Sequence, residues 1–257
     1  MAMNVLKQSR PLMRLEYLQE YSINEIESAI NGSWNILKRS KKALIGRHGK
    51  FVLKKRPGRN GIETVKHIAE NNRNSWDVAL KLITSDVSIA LPVAFAVYGL
   101  GPLHWASITV TRFIEGAMDI EAFADQMVAR EASEVEIASY LAKIAAAVNK
   151  LNASGVYHND LAGKNILTTD GSKFYFIDLD GIEMDRPYDR EHRMRNHVQL
   201  YDSLNDRWGD SQLVPFIEQM MGPESNTNAW LDELKRRQQT RRQRTEAIWR
   251  KQGRLQA

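Results

Sequence analysis

The stretch that decides the fold reads HNDLAGKNIL at residues 158–167, and FIDLD follows at residues 176–180. Asp160 and Asn165 are close enough in sequence for one turn to present both side chains to a single site from its two sides. Asp178 stands near the end of the next strand-like run. Any one of these residues alone would be read as part of a turn with local side-chain hydrogen bonds. Together, with apolar residues between them, they predict a polar site on a loop and a strand anchored to a core.

Carboxylates and an amide are the groups that phosphoryl transfer requires, because they hold Mg²⁺ and orient the attacking hydroxyl. The two segments resemble the protein-kinase superfamily, whose catalytic loop reads His-Arg-Asp-x-x-x-x-Asn and whose metal strand ends in Asp-Phe-Gly. The resemblance implies that Asp160 is the catalytic base. It makes Asn165 a Mg²⁺ ligand and Asp178 the principal Mg²⁺ ligand, which bridges the phosphates of ATP. His158 is then structural and supports the loop.

The nucleotide-binding residues are expected upstream. Residues 51–55 read FVLKK and alternate like the kinase strand Val-Ala-Ile-Lys, which carries the phosphate-binding lysine. Lys54 is the first choice and Lys55 the alternative, because a slip of one residue exchanges the two faces of a strand. Val52 would pack on the adenine. The hinge that contacts the adenine edge is placed at the backbone of Arg112, Phe113 and Ile114.

The carboxylate that pairs with Lys54 is expected on the following helix, as in kinases, but its identity stays open. Glu70 has plausible spacing and is ranked first, with Asp77 and Glu63 as alternatives.

Several features depart from the protein-kinase pattern. There is no Gly-x-Gly-x-x-Gly, and the corresponding turn, residues 39–42, reads RSKK. Asn159 stands where protein kinases have Arg, and Asp180 stands where they have Gly after the metal Asp. Lys164 lies four residues after Asp160, where it either reaches the transferred phosphate or is a solvated loop lysine. These departures lead away from eukaryotic-type protein kinases and toward compact bacterial small-molecule kinases.

Among such kinases, the chain resembles the lipopolysaccharide kinase family, which phosphorylates heptose or 3-deoxy-D-manno-octulosonic acid (Kdo) in the lipopolysaccharide inner core. The resemblance implies an ATP- and Mg²⁺-dependent sugar kinase with an anionic sugar or glycolipid as its substrate. It also implies a location in the cytoplasm or at the cytoplasmic face of the inner membrane. The matching stretches are residues 51–55, 73–76 through 91–94, 111–116, 158–167 and 176–181.

The order of hydrophobic patterns predicts an α+β, two-lobed protein-kinase-like fold. The N-terminal lobe, residues 1–114, is expected to contain an antiparallel five-stranded sheet with a helix and to bind the nucleotide. The C-terminal lobe, residues 115–257, is expected to be mainly helical and to carry the catalytic loop, the metal strand and a basic C-terminal helix. The five strands are expected at residues 34–39, 43–47, 50–55, 92–98 and 105–113, with helical spacing at 62–70 and 75–84.

Composition limits the covalent links, membrane spans and binding partners that the chain can have. The 257 residues include no cysteine, which excludes disulfides and cysteine–metal sites. No apolar run approaches the roughly 18 residues of a membrane span. The net charge of +5 favours anionic partners. Without a recognisable nucleic-acid-binding motif, nucleic acid is not an expected partner.

The basic C-terminal segment, residues 228–250, permits two interpretations. It is either a helix that contacts an anionic membrane or a phosphorylated glycolipid, or a solvated helix packed onto the C-terminal lobe by its aromatic residues. Its cations are Lys235, Arg236, Arg237, Arg241, Arg242, Arg244 and Arg250, followed by Lys251, and its apolar residues include Trp230, Leu231, Leu234, Ile248 and Trp249.

Two alternative functions remain open at the level of sequence. One is another bacterial kinase-fold enzyme, either a protein kinase or an antibiotic phosphotransferase. The other is a catalytically dead kinase fold that serves as a binding module. The intact set of Asp160, Asn165, Asp178 and Lys54 argues against the dead fold.

Overall fold

A computed structural model describes residues 4–57, 62–100, 103–184, 189–222 and 226–251. The chain divides into two compact units. The first comprises Met1–Gly116 with Tyr175–Ile182, and the second comprises Ala117–Phe174 with Glu183–Ala257. The segment that carries Asp178 therefore belongs with the first unit, although it is far from the rest of that unit in sequence.

In the described part of the first unit, seven strands form one antiparallel sheet with the order β1-β2-β6-β7-β5-β4-β3. The strands are β1 (Val5–Arg10), β2 (Met13–Leu18), β3 (Asn35–Arg39), β4 (Leu44–His48), β5 (Phe51–Pro57), β6 (Pro92–Leu100) and β7 (Leu103–Arg112). The five expected strands correspond to β3–β7.

The expectation of a five-stranded sheet is wrong in number, because the hairpin of β1 and β2 extends the sheet beside β6. Leu15 and Leu18 of β2 are each only 1% exposed and join the core of the sheet. The charged residues Arg14 and Glu16 alternate with the apolar ones in β2, and no strand is predicted here from the sequence.

Two helices cover the first unit, α1 (Ile23–Asn31) and α2 (Ile62–Thr84). Helix α2 is continuous, whereas the sequence suggests two shorter helices. Its middle, residues 71–74, reads NNRN, which contains weak helix formers but neither Gly nor Pro to end a helix. Trp76 of α2 is buried in the same core as Ile26 and Ala29 of α1.

The second unit is mainly helical. Its described helices are α3 (Ile120–Ala129), α4 (Glu134–Ala153), α5 (Arg190–Leu204), α6 (Asp210–Glu218) and α7 (Thr227–Lys251). Ser133 and Glu136 form a capping box at the start of α4, and Gly155, with a φ of 73°, follows its end. The apolar stripe of α4 is buried from Tyr140 to Leu151, but Val135, which the sequence assigns to the same stripe, is 79% exposed.

Short strands hold the loops that carry the polar motifs. They are β8 (Met118–Asp119), β9 (Val156–His158), β10 (Ile166–Thr168), β11 (Phe174–Phe176) and β12 (Ile182–Met184). Strand β10 pairs antiparallel with β8. The predicted α+β class is confirmed, with a sheet-rich first unit and a helical second unit. Among the described residues, no helix is both long and apolar enough to cross a membrane.

Candidate active site

In the second unit, the loop between β9 and β10 brings together three of the predicted residues. Asn165 lies in a 3₁₀ turn, Gly163–Asn165, and its side chain is nearly buried. Its Nδ2 donates to the backbone oxygen of Asp160 at 2.8 Å and to the carboxylate Oδ2 of Asp160 at 3.0 Å. Lys164 Nζ lies 3.2 Å from the same Oδ2. His158 is fully buried, and its Nδ1 accepts a hydrogen bond from the backbone nitrogen of Asp160 at 3.2 Å.

Gln199 of α5 fixes the backbone on both sides of Asp160. Its Oε1 accepts from the backbone nitrogen of Leu161 at 2.8 Å, and its Nε2 donates to the backbone oxygen of Asn159 at 3.1 Å. The Asn159 side chain donates in turn to Glu183 at 3.0 Å. Amide side chains therefore support this loop around Asn159, which stands where protein kinases have Arg.

Ser203 and Glu121 support the next turn of the loop. Ser203 Oγ accepts from the backbone nitrogen of Gly163 at 2.8 Å, and Glu121 Oε1 accepts from the backbone nitrogen of Lys164 at 3.1 Å. A Cβ on Gly163 would lie 2.6 Å from Glu121 Cγ and 3.0 Å from Ser203 Cβ, so glycine permits this close approach.

Sequence reasoning does not identify Gln199, Ser203 or Glu121. A signal exists in the spacing of Gln199 and Ser203, since residues four apart on a helix share a face.

In the first unit, a second polar cluster surrounds Lys54 of β5. Its Nζ lies 2.5 Å from Asp178 Oδ1 and also contacts Asp180 Oδ2. Asp180 Oδ2 is contacted by Arg56 as well, and Asp180 Oδ1 accepts a hydrogen bond from Ser75 Oγ of α2 at 2.7 Å. The cluster thus contains two cations on one strand, two carboxylates at one turn and a serine hydroxyl on a helix.

Asp178 adopts the left-handed region, with a φ of 59° and a ψ of 50°. This conformation is uncommon outside glycine, and Asp and Asn tolerate it best. It turns the chain sharply from β11 into the short 3₁₀ turn Leu179–Gly181. Both Asp178 and Asp180 reach Lys54 because of this turn.

The two carboxylates differ in environment. The Asp178 side chain is 46% exposed, whereas that of Asp180 is 12% exposed. Burial by itself would raise the pKa of Asp180, but the charges of Lys54 and Arg56 and the hydrogen bond from Ser75 outweigh burial and lower it. Asp180 therefore stays ionised within its protein partners, while Asp178 keeps a solvent-facing surface.

The other candidates for the lysine and its partner are placed as follows. Lys55 is exposed on β5. Asp77 of α2 accepts a hydrogen bond from Arg73 at 3.2 Å. The side chains of Glu70 and Glu63 lie outside the described residues.

The segment expected to act as hinge begins at Arg112, the last residue of β7. Arg112 donates its backbone N–H to the Leu91 oxygen at 2.8 Å, and Phe113 donates its own to the Lys50 oxygen at 2.8 Å. The Arg47 guanidinium lies 3.7 Å from the centroid of the Phe113 ring. Val52 and Ile114 are both partly exposed. These contacts order the backbone where the adenine edge is expected.

The donor chemistry fits Mg²⁺. The two N–H bonds of Asn165 go to Asp160, so its amide oxygen Oδ1 is oriented as the remaining ligand atom. Asp178 supplies a carboxylate, and oxygen ligands are those that Mg²⁺ prefers. Among the described residues, no group of three His, Cys, Asp or Glu side chains forms a preassembled metal site.

Comparison with known proteins defines the class first. One solved structure with this fold is WaaP in complex with acyl carrier protein, with a TM-score of 0.63 and 17% sequence identity over 84% of this chain and 91% of that chain. A glucosamine kinase covers 88% of this chain and 65% of its own, at a TM-score of 0.43 and 13% identity. The bifunctional kinase-methyltransferase WbdD covers 77% of this chain and 47% of its own, at a TM-score of 0.43 and 14% identity. The likeness to WaaP shows that the two proteins share a fold.

The sequence profile of the "Lipopolysaccharide kinase (Kdo/WaaP) family" matches residues 67–220, more than half of the chain. The chain belongs to this family and is a kinase. No curated protein sequence matches it.

Proposed function

We propose that this chain transfers the γ-phosphoryl group of ATP to a hydroxyl of heptose or Kdo in the lipopolysaccharide inner core. The observation that carries the proposal is the Asp160–Asn165 pair, held in a loop of the family's matched region. The Asp160 carboxylate has the exposure, 45% of its side chain, that contact with an acceptor hydroxyl requires.

Each residue has a role in this proposal. Asp160 accepts the proton of the attacking sugar hydroxyl and orients its oxygen toward the γ-phosphorus. Lys164, beside Asp160, supplies positive charge to the transferred phosphoryl oxygens, and Lys54 supplies it to the phosphates of ATP. Asn165 and Asp178 would hold Mg²⁺, which when bound neutralises charge on the phosphates. Val52 and the backbone of residues 112–114 would bind the adenine.

Mass spectrometry of the core oligosaccharide tests the acceptor. A deletion strain should lose one core phosphate, and the wild-type chain should restore it. Asp160→Asn should fail to restore it although the protein accumulates. An unchanged phosphate count in the deletion strain would refute the lipopolysaccharide assignment and leave a protein kinase or an antibiotic phosphotransferase as the class to assay.

We also propose peripheral contact with an anionic membrane, but at one end of α7 only. The proximal part of this helix is packed and neutralised. Trp230 and Leu234 are buried, and Arg237 pairs with Glu191 at 2.6 Å. Arg242 pairs with Asp202 at 2.6 Å. These cations are therefore engaged within the second unit.

The distal end of α7 differs. Ile248 is 53% exposed and Trp249 is 42% exposed, next to Arg250, whose guanidinium lies 3.9 Å from Glu246 of the same helix. Arg244 has no ion pair among the described side chains. Apolar side chains, one of them Trp, beside cations are typical of helices that lie in the interface of an anionic bilayer. Charge complementarity therefore favours a membrane surface as the occupant of this end.

Co-sedimentation with vesicles of phosphatidylglycerol and phosphatidylethanolamine tests this contact. The pair Ile248→Ser with Trp249→Ser should weaken binding roughly 30-fold, since burying the exposed parts of both side chains is worth about 2 kcal/mol. Trp105→Ser is the matched control, because Trp105 is 46% exposed in the first unit. Two results would contradict the proposal. One is an equal loss of vesicle binding in the Trp105→Ser control. The other is a wild-type protein that does not bind vesicles and instead forms a dimer that the paired substitution abolishes.

A further inference from the structure

Lys54 is shared between two carboxylates that have different surroundings. Asp178 offers a half-exposed carboxylate, whereas Asp180 is nearly enclosed. Both contact the Lys54 ammonium, whose side chain is itself only 19% exposed. Only a carboxylate with open lone pairs can also take a metal ion, so the two aspartates cannot have the same task.

The oxygens of Asp180 are occupied by the protein. Oδ2 contacts both Lys54 and Arg56, and Oδ1 accepts from Ser75 Oγ at 2.7 Å. A carboxylate this deeply placed persists only when its charge and its lone pairs are satisfied. The carboxylate of Asp180 is therefore satisfied by protein groups, and its role is to hold the Lys54 ammonium in place.

Among its described side chains, helix α2 reaches this cluster through neutral groups. Ser75 bonds to Asp180, and Asn74 Nδ2 donates to the backbone oxygen of Ile182 at 2.9 Å. Asp77, a carboxylate in the described part of the same helix, is instead engaged by Arg73. The helix fixes the turn that carries Asp180, and Asp180 supplies the negative charge that faces Lys54.

We infer that Asp180 is the positioning residue for Lys54. The inference rests on the proposed phosphoryl transfer and deepens it. If Asp178 held Mg²⁺, its carboxylate would be shared with the metal, and Asp180 would remain as the ionic partner that keeps the Lys54 ammonium directed at the phosphates. Arg56 and Ser75 keep Asp180 in place.

A double-mutant cycle tests the inference, with Lys54→Met, Asp180→Asn and the two combined. If Asp180 acts through Lys54, each single variant lowers kcat roughly 10²-fold and the double variant is no worse than Lys54→Met. Asp77→Asn is the matched control and should combine additively with Lys54→Met. The same cycle in the melting temperature of nucleotide-free protein should also be non-additive for Asp180 and additive for Asp77.

Ser75→Ala covers the case in which Asp180→Asn does not fold, because it retains both charges. It should lower kcat several-fold with little change in the KM for ATP. Additive losses for Asp180 and Lys54 would overturn the inference, as would coupling of Lys54 to Glu70→Gln instead. Titration of the wild-type protein with ATP and Mg²⁺ separates the two claims. Without nucleotide binding both fail, whereas binding combined with additive variants overturns only the role of Asp180.

Discussion

Gln199→Leu removes the two hydrogen bonds that flank the proposed catalytic base. In the wild type, Gln199 accepts from Leu161 N at 2.8 Å and donates to Asn159 O at 3.1 Å. Leucine has nearly the same volume but neither polar atom. The backbone N–H of Leu161, a fully buried residue, would lose its partner.

The magnitude follows from these two bonds. Each is worth about 1 kcal/mol net, and a buried donor left without a partner adds a similar amount, so the free energy of unfolding should fall by about 2–3 kcal/mol. A shift of the Asp160 backbone by about 1 Å should lower kcat roughly 10²-fold. Lys54 and Asp178 belong to the first unit, whereas Gln199 belongs to the second, so the Kd for ATP should change less than about twofold.

Two variants make the assay specific. Gln199→Glu keeps the acceptor for Leu161 and loses the donor to Asn159, so its kcat should be intermediate. Gln219→Leu changes an exposed glutamine and should be neutral. Steady-state kinetics, isothermal titration with ATP and urea unfolding provide the three readouts. A Gln199→Leu protein with wild-type kcat and reduced stability would refute the positioning role, as would parallel losses of kcat and ATP affinity.

Three further predictions concern other parts of the molecule. Burial lowers the pKa of His197 to about 3, so its stabilising contribution is present above its unfolded pKa of 6.5 and is lost as pH falls. In urea unfolding, the wild type should therefore be about 1.4 kcal/mol less stable at about pH 5.5 than at about pH 7.5. The variant His197→Gln, which can still accept the hydrogen bond from Trp230, should lose that difference. An unchanged dependence of its stability on pH would contradict this prediction. Lys41 and Lys42 make no ion pair with any described side chain, and replacing both with Ala should raise the KM for ATP roughly tenfold if they cover its phosphates; an unaltered KM would show that they do not. Asn165→Ala should raise the Mg²⁺ concentration for half-maximal activity roughly tenfold, and a titration that matches the wild type would remove Asn165 from the ligand set.

The reaction class and the fold could be predicted from the sequence because they depend on local spacing. The interval from Asp160 to Asn165 and the long apolar stripe of α4 are visible without any tertiary contact. Short apolar runs between polar turns likewise predict strands β3–β7.

Features that depend on tertiary contacts were not visible in the same way. Strand β2 has charged residues between its buried ones, so only its pairing with β6 reveals it as part of the sheet. The sequence shows Asp180 as a departure from the kinase motif but does not show its partners. Its contacts with Lys54 and Arg56 arise because strand β5 and the turn after β11 meet. The support of the catalytic loop by Gln199 depends on how α5 packs, which no local pattern records.

The basic C-terminal segment shows the same limit for charge. Its composition suggests one cationic surface, but Arg237 and Arg242 have carboxylate partners on α5 or just after it. In the described part of this helix, large apolar side chains are exposed only at the end with Ile248 and Trp249. The number of cations along a helix does not show which carboxylates of neighbouring elements pair with them.

The central claim is ATP-dependent transfer of phosphate to an inner-core sugar with Asp160 as the base. The most direct measurement uses purified protein, γ-labelled ATP, Mg²⁺ and a core oligosaccharide prepared from a deletion strain. The wild type should incorporate label into the oligosaccharide, and Asp160→Asn should do so roughly 10³-fold more slowly while binding ATP as tightly. A wild-type protein that binds ATP but labels no sugar, or an Asp160→Asn protein with wild-type turnover, would contradict the account.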